Sequence, residues 1–313
     1  MPRLCAIHVL QNIIKHKKNL SEGLEPYKNH EDRSLISEFC YGVCRYYFSL
    51  KPLMMALMDK PLKAKDHDIE LTIILGLYQL KHMALKPFAA VNETVKLAKQ
   101  CNKVWARGLI NAVLRRYLRE GESLEQALSD NLEFKHSHPL WLIKRFQAAK
   151  LSVTDVCREN EKRAPVCLRI NTQKISRDEY QKLLVKQDII ALESPYLDNA
   201  LVLETKVNVT ELPHFKKGYV FIQDIAAQFA CSLLDLTDGL TVLDACSAPG
   251  GKLTAMLEVA PSLKKVVALD SSESRMKRIN ENLTRLNQSA ERVVGDARTP
   301  SVWWNGELFD RVL

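Results

Sequence analysis

The run Val242-Leu-Asp-Ala-Cys-Ser-Ala-Pro-Gly-Gly-Lys252 constrains the fold more than any other segment of this chain. Thr241 to Leu243 is a short apolar run of the kind that forms a buried strand. It ends at Asp244 and opens into a loop holding Pro249, Gly250 and Gly251, after which Lys252 to Ala260 reads as a helix. Glycine lets backbone N–H groups approach a ligand, and a helix N-terminus supplies positive potential. Strand, tight loop and helix start in this order make a nucleotide-type cofactor site.

The segments that follow keep the same rhythm. Strands are expected at 241–245, 265–269, 291–294 and 309–313, with helices at 252–260 and 272–286 and a turn around 299–304. Asp224 is the expected N-cap of a preceding helix from Ala226 to Leu234. The order is that of the first half of a doubly wound α/β sheet, which binds ligands at the carboxyl ends of its strands. Asp270 ends the second strand, 19 residues past Gly251, where an acidic side chain accepts hydrogen bonds from ribose hydroxyls. Asp296 follows the third strand, where a carboxylate can accept from an adenine amino group. Neither G-x-G-x-x-G nor G-x-x-x-x-G-K-[ST] is present, which argues against a dinucleotide and against an ATPase loop. S-adenosylmethionine carries no phosphate and needs fewer glycines. The plainer alternative is a Pro-Gly-Gly turn with Asp270 acting only as a helix cap.

Residues 1–125 read as successive helices: Leu4 to Ile14, Asp32 to Phe48, a separate short one from Leu53 to Met58, Ile69 to His82, Ala89 to Cys101 behind Pro87, and Arg107 to Arg119. Further helices are expected from His138 to Phe146 and from Val153 to Asn160. After these the pattern becomes mixed. Val166 to Asn171 alternates like a strand, Ser176 and Glu179 form a capping box for a helix to Val185, and 200–203 and 219–222 look like strands. Three domains follow: all-α over 1–130, a small α+β connector over 131–223, and an α/β cofactor domain over 224–313.

Charge adds a partner. Residues 1–130 carry 20 Lys and Arg against 14 Asp and Glu, so most of the net charge of +8 lies in the helical part. A basic helical module beside a cofactor domain suits an anionic partner, nucleic acid first; a solvated basic surface is the alternative. Arg115, Arg116 and Arg119 are candidate phosphate contacts. No apolar run approaches the roughly 20 residues that span a bilayer, and the N-terminus does not read as a signal peptide. The eight cysteines show no paired metal-ligand spacing, so reduced thiols, a cytoplasmic setting and no metal are expected. Cys40 and Cys44 read as core thiols, and His136 and His138 as capping or packing residues.

Three blocks carry a family resemblance: Asp244-Ala-Cys-Ser-Ala-Pro-Gly-Gly-Lys252, Ala268-Leu-Asp270 and Gly295-Asp-Ala-Arg298. The chain resembles the Sun/Fmu (RsmB-type) RNA cytosine-C5 methyltransferases, which modify small-subunit ribosomal RNA. Gly76-Leu-Tyr-Gln-Leu80, Ala89 to Val95 and Gly108 to Arg115 resemble that group's NusB-like helical domain, while His138 to Trp141, Leu168 to Asn171 and Gln223-Asp224 resemble its connector. The resemblance implies S-adenosyl-L-methionine as cofactor. It has Cys246, Ser247, Ala248, Pro249, Gly250, Gly251 and Lys252 wrapping the methionine part, Asp270 at the ribose and Asp296 by the adenine. It further implies Arg275 at the pocket and Arg169 and Asn171 against RNA, with a monomer as the expected state.

The family works with two cysteines, in a Pro-Cys motif after the fourth strand and a Thr-Cys-Ser motif after the fifth. Neither Pro-Cys nor Thr-Cys occurs here, and Phe309 to Leu313 reads as the fourth strand. The chain is therefore expected to hold the cofactor half of the apparatus, to carry no catalytic residue and to transfer no methyl group. A non-catalytic RNA-binding protein with a remnant cofactor domain is the rival reading. A dehydrogenase is disfavoured by the loop.

Overall fold

Apolar residues at helical spacing build the first part of the chain. The computed structural model describes residues 1–313 and divides them into two compact units, Met1–Arg163 and Ala164–Leu313. The first unit contains α1 (Pro2–His16), α2 (Leu20–Leu24), α3 (Arg33–Ala56), α4 (His67–His82), α5 (Pro87–Gln100), α6 (Ala106–Ala127), α7 (Leu132–His136), α8 (Leu140–Ala148) and α9 (Val153–Glu161). Helix α4 is central: Ile69 and every residue from Leu71 to Gln79 are buried. Ile7 and Leu10 of α1, Phe39 and Leu53 of α3 and Ile110 and Leu114 of α6 share its core. The buried Gln79 is satisfied on both ends. It accepts from Arg3 Nε (2.8 Å) and donates to the Leu75 carbonyl and Thr94 Oγ1 (3.1 Å each).

One expected break is absent. Pro52 lies inside α3, and the segment after it continues the same helix instead of forming a separate one. An interior proline costs about 3 kcal/mol. Leu50, Leu53 and Met54, all buried around it, offset that cost by staying in register with the core.

The second unit begins with β1 (Val166–Ile170) and α10 (Arg177–Val185), whose Ser176–Glu179 capping box forms as read. Strands β2 (Ala191–Glu193), β3 (Ala200–Leu203) and β4 (Val220–Ile222) complete an antiparallel sheet in the order β2-β3-β1-β4. Tyr180 and Leu184 of α10 cover it with Leu168, Ile170, Leu201 and Val220. Then come α11 (Ile225–Leu233), capped by Asp224, β5 (Thr241–Asp244), α12 (Gly251–Val259), β6 (Lys265–Asp270), α13 (Glu273–Leu286), β7 (Glu291–Val294) and β8 (Arg311–Val312). These strands make a parallel sheet in the order β7-β6-β5-β8. The chain runs outward from β5 through β6 to β7, then returns to the other side of β5. The carboxyl end of β5 is thus a topological switch point, where open α/β sheets bind ligands. No helix is long and apolar enough to cross a membrane.

The compact units meet at 163/164, and α7, α8 and α9 lie in the first of them.

Candidate cofactor site

The site grows from the end of β5. Val242 and Leu243 pair with Val266 and Val267 of β6 on one side and with Arg311 and Val312 of β8 on the other, which fixes where Asp244 emerges. Several hydrogen bonds tie down the loop that follows. The Ser247 amide donates to the Leu269 carbonyl (3.0 Å), the Gly250 amide to the Ser247 carbonyl (2.6 Å), and Asn282 Nδ2 to the Pro249 carbonyl (2.9 Å). Gly250 has φ +96°, a conformation that suits glycine and lets the chain turn straight into α12.

Asp270 closes β6 beside this loop. It is almost fully buried, and its carboxylate accepts from the Ala248 amide at Oδ2 (3.2 Å) and from the Ser272 amide at Oδ1 (3.0 Å). Arg275 Nη2 stands 3.2 Å from Oδ1, so the pocket residue implied by resemblance does meet Asp270. A carboxylate has about four acceptor sites, which leaves capacity for hydroxyl donors. Asp296 lies just past β7, and the two chain segments are joined where the Gly295 amide donates to the Asp270 carbonyl (3.1 Å). Arg298 holds Asp296 by its backbone amide (2.9 Å), Nε (3.0 Å) and Nη2 (2.6 Å). Those bonds pull the Asp296 carboxyl down to about 2. Trp303 Nε1 donates to the Asp296 carbonyl (2.9 Å) and fixes the turn.

Two buried polar side chains where β5 meets the loop, Asp244 and Ser247, lack a well-formed hydrogen bond. Asp244 is wholly buried, and although Ser247 and the Cys246 amide lie beside it, neither carboxylate oxygen accepts a hydrogen bond of ordinary geometry. Burial raises its carboxyl above the usual range, with Lys252 opposing that shift. Ser247 Oγ is likewise buried and unpaired. Buried polar groups without well-formed hydrogen bonds are costly to hold. Sequence reasoning quoted Asp244 within the motif without giving it a role; its position at a strand end in an apolar run was the available signal.

Cys246 is exposed in the loop, and the other seven cysteines are buried or partly buried. Cys231 donates weakly to the Lys252 carbonyl (3.7 Å), and burial pushes its thiol up to about 11. Cys40 and Cys44 are core thiols pushed up by burial to about 12 and about 11. His138 is bound by the His136 carbonyl (2.6 Å) and Asn160 (3.1 Å), a packing role.

Arg169 and Asn171, implied by resemblance to face RNA, do not. Both are buried. Asn171 donates to the Gly218 carbonyl (3.2 Å), and Arg169 is consumed by an internal network. A strand's alternation cannot say whether its polar face meets solvent or a second layer. In the helical unit Arg116 is held by Glu120 (2.8 Å) and the Leu57 carbonyl (3.3 Å), and Arg119 sits 3.8 Å from Glu120. Arg115, bonded only to Asn111 (3.0 Å), stays exposed.

Comparison with known proteins agrees along the whole chain. Residues 1–119 match the NusB family, residues 138–210 the RsmF/B-like methyltransferase ferredoxin-like domain, and residues 231–313 the 16S rRNA methyltransferase RsmB/F. The probable ribosomal RNA small subunit methyltransferase B of Coxiella burnetii is 40% identical over 309 residues, covering 97% of this chain and 71% of that protein. The ribosomal RNA small subunit methyltransferase B of Vibrio vulnificus is 42% identical over 316 residues, covering 99% and 74%. The crystal structure of PH0851 shares the fold, with a TM-score of 0.72 at 18% identity over 100% of this chain and 73% of that one. A NusB-like helical domain, a small antiparallel sheet and a parallel α/β half-sheet with its strand-end loop, matched at about 40% identity throughout, make this chain a member of the ribosomal RNA small subunit methyltransferase B family.

Proposed function

We propose that the chain binds S-adenosyl-L-methionine at the ends of β5, β6 and β7 and serves methylation of cytosine C5 in small-subunit ribosomal RNA. The observation that carries this reading is the row of three carboxylates, Asp244, Asp270 and Asp296, at the carboxyl ends of three adjacent parallel strands. The cofactor's ammonium, ribose hydroxyls and adenine amino group are all donors, and this row offers acceptors without the phosphate cradle a dinucleotide needs. Asp270 would take the ribose hydroxyls and Asp296 the adenine amino group. The loop from Cys246 through Ser247, Ala248, Pro249, Gly250 and Gly251 to Lys252 would wrap the methionine part, with the unpaired Asp244 and Ser247 beneath it. When bound, the cofactor supplies an electrophilic methyl group.

Attack on cytosine C6 needs a thiolate, which makes C5 nucleophilic, and the base must first leave its stack. Cys246 lies in the cofactor loop, and Cys231 is held as a buried neutral thiol. We infer that these 313 residues bind cofactor and RNA but by themselves transfer no methyl group. Two measurements test this. Calorimetry with S-adenosylhomocysteine and with NAD should show binding of the first only. Labelled S-adenosylmethionine with unmodified small-subunit RNA should give no 5-methylcytosine above background. Binding of NAD in preference, or turnover lost in Cys246→Ser, would sink the reading.

A further inference from the structure

The helical unit carries a second site that the cofactor chemistry does not use. A cavity of about 510 Å³ lies between the segment that leads into α4 and the start of α6, lined by Leu62, Lys63, Lys65, Asp66, Lys103 and Trp105 among others. Trp105 is 56% exposed beside an exposed Val104, and its indole N–H makes no hydrogen bond within the chain. An exposed ring of this kind offers an open face for stacking.

The three lysines are not equivalent. Lys103 is taken up by Asp66 (3.0 Å), Asp68 (2.5 Å) and the Lys65 carbonyl (2.8 Å); this trio of one ammonium and two carboxylates shapes the wall and leaves Lys103 no free charge for a ligand. Lys63 and Lys65 are exposed and have no carboxylate partner. The exposed side of α6 continues the charge through Arg107, also unpartnered, to Arg115. Free cations therefore flank a free indole along one surface.

We propose that this pocket holds one unpaired nucleotide of single-stranded RNA, with the base stacked on Trp105 and flanking phosphates on Lys63 and Lys65, the strand continuing past Arg107 and Arg115. Stacking needs an open base face, which a duplex hides, so the site selects single strands. The inference rests on the reading of this chain as an RNA-directed protein and gives that reading a location.

The test is fluorescence anisotropy of a labelled 12-residue oligouridine titrated with the full 313-residue chain over a range of salt. Trp105→Ala should weaken binding about tenfold, while Trp105→Phe, which keeps a stacking face, should stay within about threefold of the parent. Lys63→Glu with Lys65→Glu should flatten the logarithmic salt slope by about 1.4, two phosphates at about 0.7 each. A matched reversal, Lys17→Glu with Lys18→Glu, should leave the Trp105 dependence intact, and a duplex of equal length should not distinguish Trp105→Ala from the parent. If the parent binds RNA and Trp105→Ala binds equally well, the pocket is overturned alone. Equal losses in Trp105→Ala and Trp105→Phe, extending to the duplex, overturn it in favour of a general surface effect. A parent that binds no RNA overturns both the pocket and the RNA reading, and S-adenosylhomocysteine binding then reports separately on the cofactor site.

Discussion

Arg169 and Glu258 form a fully buried ion pair, with Nε 2.8 Å from Oε2 and Nη2 3.0 Å from Oε1. Arg169 stands on β1 of the antiparallel sheet and Glu258 on α12, the helix that follows the cofactor loop. The remaining N–H groups reach the Gly251 carbonyl (2.6 Å), Thr254 Oγ1 (2.9 Å) and Gln223. All five guanidinium donors therefore have acceptors, and the plane also rests on the Phe221 ring at 4.9 Å. The bond to Gly251 attaches the first residue of α12, and so the end of the cofactor loop, to the neighbouring sheet.

Removing one partner of such a pair leaves a buried charge alone. Arg169→Met should cost about 3–5 kcal/mol, and Arg169→Met with Glu258→Leu much less, since the desolvation of both charges is then relieved. Urea unfolding of the single and double variants measures this. A double variant no more stable than the single one would show that the pair is not the source of the loss.

This pair also shows what the sequence could and could not convey. The strand-loop-helix at 241–260 is legible because proline, glycine and an apolar run punctuate the chain locally. Arg169 and Glu258 are 89 positions apart, and nothing in the alternation of β1 says that its polar face is covered. Strand β2 was missed for a related reason: Ala191–Glu193 is a three-residue edge with only Ala191 buried, too short for any period to register. The break expected at Pro52 was a local rule overridden by tertiary packing, because the helix on both sides of it belongs to the same core.

Asp270 holds the loop through the Ala248 and Ser272 amides, and in the proposed function it also takes the ribose. Asp270→Ala removes the acceptor for the Ala248 and Ser272 amides and, on the proposed function, the ribose acceptor. S-adenosylhomocysteine binding should weaken by about 1–3 kcal/mol, the usual cost of leaving donors unpaired. Asp270→Asn keeps one carbonyl acceptor and should fall between parent and alanine. Equal affinity in parent and Asp270→Ala, by calorimetry, would remove Asp270 from the site.

The Asp244 carboxyl is raised, whereas that of Asp296 is lowered. Burial is the chief cause that holds the folded Asp244 carboxyl above its unfolded value. Relative to the unfolded chain, the folded environment shifts the balance toward the protonated form, so the stability linked to it is complete below the unfolded value near 4 and is lost as pH rises through the raised value. Asp244→Asn should therefore unfold at a higher temperature than the parent at pH 7–8, and the gap should close as pH falls toward 4. A variant that is less stable at neutral pH, or a gap independent of pH, would contradict the assignment.

His82 gives a pH dependence of its own to the helical unit. Its ring stacks on Tyr46 at 3.8 Å, and burial, aided by Lys81, lowers it from 6.5 to about 4. A depressed histidine contributes stability that is present above pH 6.5 and lost as pH falls toward 4. With partial exposure reducing the full linkage value, the loss should be on the order of 1–2 kcal/mol. His82→Phe, which keeps the stack, should flatten the stability profile between pH 6.5 and 4. An unchanged profile would mean that another group titrates there.

Gly42 and Tyr78 give the sharpest packing test. A Cβ built at Gly42 of α3 would lie 1.9 Å from the Tyr78 ring and 2.1 Å from its hydroxyl. The ring occupies that space because its hydroxyl donates to Glu38 Oε1 (2.9 Å), one turn earlier on α3, so the two helices cross with nothing between backbone and ring. Glycine within a helix costs roughly 1 kcal/mol relative to alanine, so Gly42→Ala would stabilise an isolated α3. In the folded unit the clash should reverse that sign. Overpacking typically costs about 1–3 kcal/mol, and the upper end is expected because the contact is with the rigid end of a ring tied at its hydroxyl. Tyr78→Leu removes the obstructing atoms and should lower the penalty of Gly42→Ala to near zero, although it destabilises the unit in its own right. A double-mutant cycle by urea unfolding separates these contributions. A Gly42→Ala chain as stable as the parent, or one equally impaired with Leu at position 78, would show that the close approach of Tyr78 does not require glycine at position 42.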